Sequence, residues 1–235
     1  MSIFKFKYFD LKQNDSPMKV GTDAMLLGAF SDVDLKTKGL DVGSGTGVLS
    51  LMCAQRNSNL LITAIEIDEL ACKEAKENFQ SSSFADQLSI INSDFLQFDT
   101  ADQFDFIISN PPYYQSRLEN IDKRKSNARH EISLPKAKFV NKVADYLTED
   151  GEFWFIVPFE DSKGWEHELS HAGLFLNQRI DVYGKEGGPF VRSICRASRI
   201  QSKVVVDEFT IRKSDFSYTE EYIELTKEFH FKSLK

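Results

Sequence analysis

An α/β fold built on a mostly parallel sheet with helices on both faces is predicted by three features of this 235-residue chain. Strand-like and helix-like segments alternate, a glycine-rich turn joins an early strand to a helix, and polar residues recur at the ends of successive strands. A helix between two strands must cross a sheet face, so consecutive strands run parallel. With 41% hydrophobic residues the chain can bury one sizeable core, and a single domain over residues 1–235 is expected.

Ile3 to Lys12 reads as an aromatic strand or hairpin, and Thr22 to Phe30 as a helix with Thr22 or Asp23 near its start. Gly39 to Val42 is a short strand, followed by Gly43-Ser44-Gly45-Thr46-Gly47 and a helix carrying Leu49, Leu51 and Met52. Leu61 to Glu66 is a second strand, with a helix beginning near Asp68, and Leu88 to Asn92 a third. Phe104 to Ser109 is an apolar fourth strand running into Asn110-Pro111-Pro112-Tyr113. Leu134 to Leu147 places Phe139, Val140, Val143, Ala144 and Leu147 at helical spacing, and Gly151 to Pro158 follows as a buried strand. Leu174 to Arg212 is strand-like and Tyr218 to Phe229 reads as a final helix. Residues 115–133 are polar and charged, too long for a simple turn, and are expected to form a mobile substrate loop.

The chemistry concentrates at the strand ends, where ligands of such sheets bind. In Asn110-Pro111-Pro112-Tyr113, residue 111 is held extended because it precedes proline, so the turn is stiff and its carbonyl has a restricted direction. The Asn110 amide oxygen and the Pro111 carbonyl are two acceptors suited to both hydrogens of a planar NH2 group, with Tyr113 available to stack on its ring. Glycines at 43, 45 and 47 permit positive φ and close backbone approach to a ligand. Val48-Leu49 stands where a P-loop needs Lys-Ser/Thr, and Val48 where a dinucleotide fingerprint needs Gly or Ala, so neither pyrophosphate motif fits. Asp41 would repel a phosphate and attract a cation such as a sulfonium with its ammonium group. Glu66, at the second strand's tip, is placed to accept from ribose hydroxyls. Asp94 is a candidate acceptor for an adenine amine, and Phe95 a candidate cover for its ring.

These motifs resemble the class I S-adenosylmethionine-dependent methyltransferases whose fourth strand ends in Asn-Pro-Pro-Tyr. The Met18 to Phe30 block, Asp41 to Gly47, Ile108 to Gln115 and Tyr218-Thr219-Glu220-Glu221-Tyr222 together are similar to a bacterial family that methylates N6 of the adenine beside the anticodon of a valine tRNA. The resemblance covers nearly the whole chain. It implies a Rossmann-like, seven-stranded sheet, S-adenosylmethionine as cofactor, and tRNA as partner for a cytoplasmic monomer needing no obligate protein partner. Thr22, Asp23, Asp41, Gly43, Gly45, Gly47, Glu66, Asp94, Phe95 and Asn110 then become the expected cofactor residues, with residues 1–38 closing over that site. Asn110, Pro111, Pro112 and Tyr113 become the catalytic set.

The net charge of −7 disfavours nucleic acid when taken as a sum. Its distribution does not, since Arg117, Lys123, Arg124, Lys125, Arg129 and His130 follow Asn-Pro-Pro-Tyr and are the expected RNA contacts. Arg192, Arg196, Arg199 and Lys203 form a second candidate rim, with an ordinary mixed surface as the competing reading. Cys53, Cys72 and Cys195 form no Cys-x-x-Cys pair and read as core fillers in a reducing compartment. No apolar run reaches the roughly 18 residues of a membrane span. His167-Glu168-Leu169-Ser170-His171 matches a zinc-helix pattern, but Trp165-Glu166 precedes it and no third histidine follows, so a solvated helix and no metal are expected. A protein-glutamine methyltransferase, a small-amine methyltransferase and a non-catalytic binding module remain alternatives.

Overall fold

The structure, a computed structural model, describes residues 2–14, 20–111, 136–232 and 234. The N-terminal segment is a hairpin of β1 (Ile3–Lys5) and β2 (Asp10–Lys12), antiparallel with Phe4 opposite Leu11. Phe6 and Phe9 stack at 4.3 Å inside its turn, and Phe6 bridges to His230 near the other end of the chain. Helix α1 (Thr22–Phe30) buries every residue from Ala24 to Ala29. Its N-cap is Gly21 without a side-chain hydrogen bond, so Thr22 is the first helical residue rather than the cap.

The central sheet contains β3 (Lys38–Val42), β4 (Leu61–Glu66), β5 (Leu88–Asn92), β6 (Phe104–Ser109), β7 (Leu147–Pro158), β8 (Phe175–Tyr183), β9 (Phe190–Ser198) and β10 (Val205–Thr210). Their order is β10-β8-β9-β7-β6-β3-β4-β5, and only β9 runs antiparallel to its neighbours. The expected sheet had seven strands; β10 adds an eighth by pairing parallel with β8 from Val205–Gln178 to Thr210–Tyr183. It lies at the sheet's edge, where one face and one row of backbone groups need no partner, and Val205 to Glu208 are accordingly exposed.

Helices α2 (Val48–Arg56) and α3 (Glu69–Ser81) follow β3 and β4, α4 (Lys136–Tyr146) precedes β7, and α5 (Ser162–His171) and α6 (Glu220–Thr226) are the remaining α-helices among the described residues. Strand alternation feeds two separate cores. Phe106, Ile108, Trp154 and Ile156 pack with α1, α2 and α6 on one face, while Ile107, Phe153, Phe155 and Val157 pack with α4 and α5 on the other. Burial on both faces explains why Phe104 to Ser109 reads as a nearly continuous apolar run.

The final helix is shorter than the Tyr218–Phe229 stretch expected. Thr219 accepts from the Tyr222 amide as an N-cap and donates to the Thr210 carbonyl at 2.6 Å, so the chain is still extended at Tyr218. Tyr218 instead stacks on Tyr222 at 4.6 Å and carries the Arg212 guanidinium 4.1 Å over its ring. Cys53 and Cys195 are fully buried free thiols in the two cores, and burial pushes the Cys53 thiol up to about 12. His167 and His171 lie on α5 with ring centroids 4.2 Å apart, and His171 Nδ1 contacts the His167 carbonyl. No helix among the described residues is long and apolar enough to cross a membrane.

Candidate active site

The site forms where β3 and β6 lie side by side. Crossovers leave this point in opposite directions, which opens a crevice at the strands' carboxyl edge. Val42 pairs in register with Ser109, and Ser109 Oγ donates to the Val42 carbonyl at 2.8 Å. Asn110 therefore begins directly beside Gly43. Asn110 is half-buried and Pro111 buried; Pro112, Tyr113 and the loop at 115–133 lie outside the described residues.

Gly43, Gly45 and Gly47 have φ of 72°, 56° and 82°, a region open to glycine and costly for other residues. Their surroundings differ. A Cβ on Gly43 or Gly45 would meet nothing within 4 Å, whereas one on Gly47 would lie 2.3 Å from the Phe79 ring. Two glycines therefore face open space fit for a ligand, and the third lets α3 close against the turn. Gly43 and Ser44 amides donate to the Ile65 carbonyl at 2.9 and 3.1 Å, and the Gly45 amide donates to Glu66 Oε2 at 2.7 Å. Glu66 Oε1 accepts from the Asp68 amide at 2.9 Å, so this carboxylate braces the turn while keeping spare lone pairs.

Asn78 is the residue that local sequence patterns did not reveal. Fully buried on α3, it donates to the Thr46 and Lys12 carbonyls at 3.0 Å each and accepts from the Lys12 amide at 2.8 Å. It thereby ties the N-terminal hairpin to the glycine turn through contacts 66 and 32 residues away in sequence. No short-range motif records such a contact.

A family model described as "Methyltransferase small domain" matches residues 17–172. A tRNA1(Val) (adenine(37)-N6)-methyltransferase of Bacteroides thetaiotaomicron is 36% identical over 97% of this chain and 96% of its own length. The corresponding proteins of Christiangramia forsetii and Vibrio campbellii are 37% and 33% identical, over 97% of this chain and 98% and 95% of theirs. The chain belongs to this methyltransferase family. Solved structures agree on the fold. A predicted O-methyltransferase from Agrobacterium tumefaciens superposes with a TM-score of 0.70, at 15% identity over 88% of this chain and 96% of that one.

The methyltransferase family and fold imply an S-adenosylmethionine-type methyl donor, and the residues present fit one. Besides the open space beside Gly43 and Gly45, Asp41 supplies a fully buried carboxylate. Its Oδ2 accepts from the Ser50 hydroxyl at 2.6 Å and amide at 3.1 Å, while Oδ1 has no partner. Desolvation pushes the Asp41 carboxyl up from 3.8 to about 7, partly opposed by the Ser50 hydrogen bonds and assisted by the Glu66 charge. The folded methyltransferase then holds this proton more tightly than the unfolded chain, so stability falls as pH rises from about 3.8 to about 7. Asp41→Asn removes that slope. It is expected to fall about 1–3 kcal/mol below wild type near pH 4, where its amide leaves an orphaned donor, and to exceed wild type by roughly 1–3 kcal/mol at pH 8, where the wild-type carboxyl has lost its proton. Urea denaturation at both pH values checks this, and equal wild-type stability across the window would refute it.

Among the expected cofactor residues of the methyltransferase, Phe95 and Asp23 are engaged elsewhere, whereas Asp94 is not. Phe95 is 4% exposed and packs on Phe139 and Tyr146, at ring distances of 5.3 and 6.2 Å, so its face is spent in the core rather than open to a ligand ring. Asp94 stays half-buried at the tip of β5, its Oδ1 accepting from the Leu96 amide at 2.9 Å. Asp23 accepts from Arg192 Nε at 2.9 Å, which fastens α1 to β9; Thr22 beside it is exposed.

The second basic rim does not form. Because β9 runs antiparallel, Arg192 lies toward the carboxyl edge but Arg196 and Arg199 lie toward the opposite one. Arg196 pairs with Glu152 at 2.8 Å, and Arg199 donates to the Ala144 carbonyl at the end of α4. Lys203 is exposed just beyond. The first cluster, Arg117, Lys123, Arg124, Lys125, Arg129 and His130, lies outside the described residues.

Proposed function

We propose that this methyltransferase uses S-adenosylmethionine to methylate N6 of the adenine at position 37 of a valine tRNA. It would act as a cytoplasmic monomer. The observation that carries the reading is the Val42–Ser109 register, which sets Asn110 and Pro111 beside the glycine turn. Relatives 36% and 37% identical over nearly the whole chain bear the name of that reaction.

The donor supplies an electrophilic methyl group on a sulfonium sulfur. Gly43 and Gly45 would admit it, Glu66 would hold its ribose hydroxyls, and the unpartnered Asp41 Oδ1 would favour its positive end. Asp94 would accept from its adenine amine. On the substrate, the Asn110 amide oxygen and the Pro111 carbonyl accept the two hydrogens of the exocyclic amine. That turns the nitrogen's lone pair out of conjugation with the ring and stabilises the positive charge developing on it. The methylated ammonium is acidic enough to lose its proton to water, so no side-chain base is required. Tyr113 would stack on the flipped ring and offset part of the cost of unstacking, a few kcal/mol.

Nucleosides from total tRNA of cells with and without the protein, separated by mass spectrometry, test the reading. Loss of N6-methyladenosine from one valine tRNA is expected. An unchanged nucleoside profile, with labelled methyl recovered in protein instead, would overturn it.

A further inference from the structure

The carboxyl edge of the sheet carries different chemistry on its two halves. On β3, β4 and β5 the strand ends bear the glycine turn, Glu66 and Asp94. Beyond β6, the neighbouring strands β7, β9 and β8 each place an aromatic ring at this edge: Phe159, Phe190 and Tyr183. The Phe159 and Phe190 centroids are 4.8 Å apart, and Phe190 stacks on Tyr183 at 4.0 Å and 27°. The row starts next to the strand that carries Asn110.

Past its far end, the loop after β10 holds up Phe216, 63% exposed and at φ 68°. A bulky residue in left-handed backbone is strained, and an exposed ring recovers little of that cost by packing. The loop is nevertheless firmly built. The Glu186 amide donates to the Arg212 carbonyl at 2.8 Å, the Phe216 amide to the Lys213 carbonyl at 3.0 Å, and Arg212 Nη1 to the Phe216 carbonyl at 2.7 Å. Lys185 Nζ lies 3.9 Å over the Phe216 ring, and no acidic side chain pairs with it among the described residues. The loop's own carboxylates brace its turns: Glu186 accepts from the Ser214 amide, and Asp215 from the Ser217 amide and hydroxyl. Aromatic faces interleaved with cations, at an edge of an otherwise acidic chain, complement a strand of bases and phosphates rather than an acidic or apolar protein surface.

We propose that this half of the edge is a stacking track for single-stranded RNA. Nucleotides flanking the target adenine stack on the exposed Phe216 ring and pass along the outer rings of the row, Phe159 and Tyr183, since Phe190 is covered from both sides, with Lys185 and Arg212 meeting their phosphates. Three strand spacings separate β6 from β8, so the aromatic row extends roughly 14 Å from Asn110 and Phe216 lies beyond it. The proposal rests on the tRNA reading above and adds where the RNA lies.

Phe216→Gly and Lys185→Ala test it, using tRNA from cells lacking the protein as substrate. Each is expected to raise the KM for tRNA about tenfold or more, with kcat at saturating tRNA and methyl-donor affinity within about twofold of wild type. Phe216→Gly is also expected to melt no lower than wild type, because glycine relieves the left-handed strain. An unchanged KM in an active wild-type background, or a lowered melting temperature with unchanged KM, overturns the track while leaving the tRNA reading intact. A wild-type protein that methylates no tRNA removes both.

Discussion

Asn110→Ala is expected to slow methyl transfer about a hundred- to a thousandfold while methyl-donor affinity stays within a few-fold of wild type. The size follows from what the side chain does. Its amide oxygen would be one of two acceptors on an amine whose lone pair is otherwise delocalised, and its hydrogen bond strengthens as positive charge grows on nitrogen. An interaction made mainly in the transition state lowers kcat and kcat/KM together when lost. The fold has little stake in the residue, since Ser109 and not Asn110 makes the bond that locks β6 to β3. Calorimetric titration with the donor and single-turnover transfer to tRNA separate the two effects. Wild-type turnover in the variant would refute the assigned role.

Gly47→Ala is expected to cost about 3–5 kcal/mol of stability, far more than Gly43→Ala or Gly45→Ala at about 1 kcal/mol each. All three sites share positive φ and so share the backbone penalty. Only at position 47 would the new methyl lie 2.3 Å from Phe79 Cε1 and 2.7 Å from Cζ, in a ring buried to 3% exposure. Gly45→Ala should damage donor binding instead, because its Cβ would project into the open space that the ligand needs. Phe79→Ala supplies the control: the double variant should lose less stability than the two single losses combined, since the clash is removed with the ring. Thermal melts and donor titrations of the five variants check the pattern. Equal destabilisation at 45 and 47 would contradict it.

Much of the candidate site can be read along the chain because each component sits at the end of a strand with a distinct local pattern. Asp41, Gly43, Glu66, Asp94 and Asn110 each follow an apolar run, and parallel strands necessarily bring such ends to one edge. Positive φ at the three glycines is equally local, since it depends on the absence of a Cβ. What escaped depends on direction and distance. The same residue type at 43 and 47 does different work because Phe79 arrives from another helix. Phe95 turns into the core because α4 supplies Phe139 and Tyr146 to receive it. Arg196 and Arg199 resemble an RNA rim in sequence, yet the reversed direction of β9 carries them toward the far edge, where Glu152 and a helix end receive them.

The α/β alternation, the two buried sheet faces and the residues at each strand end are legible along the chain alone, since they follow from side-chain period and backbone permissiveness within a few residues. Which ends stand side by side, the joining of an eighth strand to β8, and the link that Asn78 makes between the N-terminal hairpin and the glycine turn emerge only when the chain folds. Those outcomes depend on strand order and on contacts between residues far apart in the chain. Hydrogen bonds and packing across such separations leave no periodic trace in the order of the amino acids.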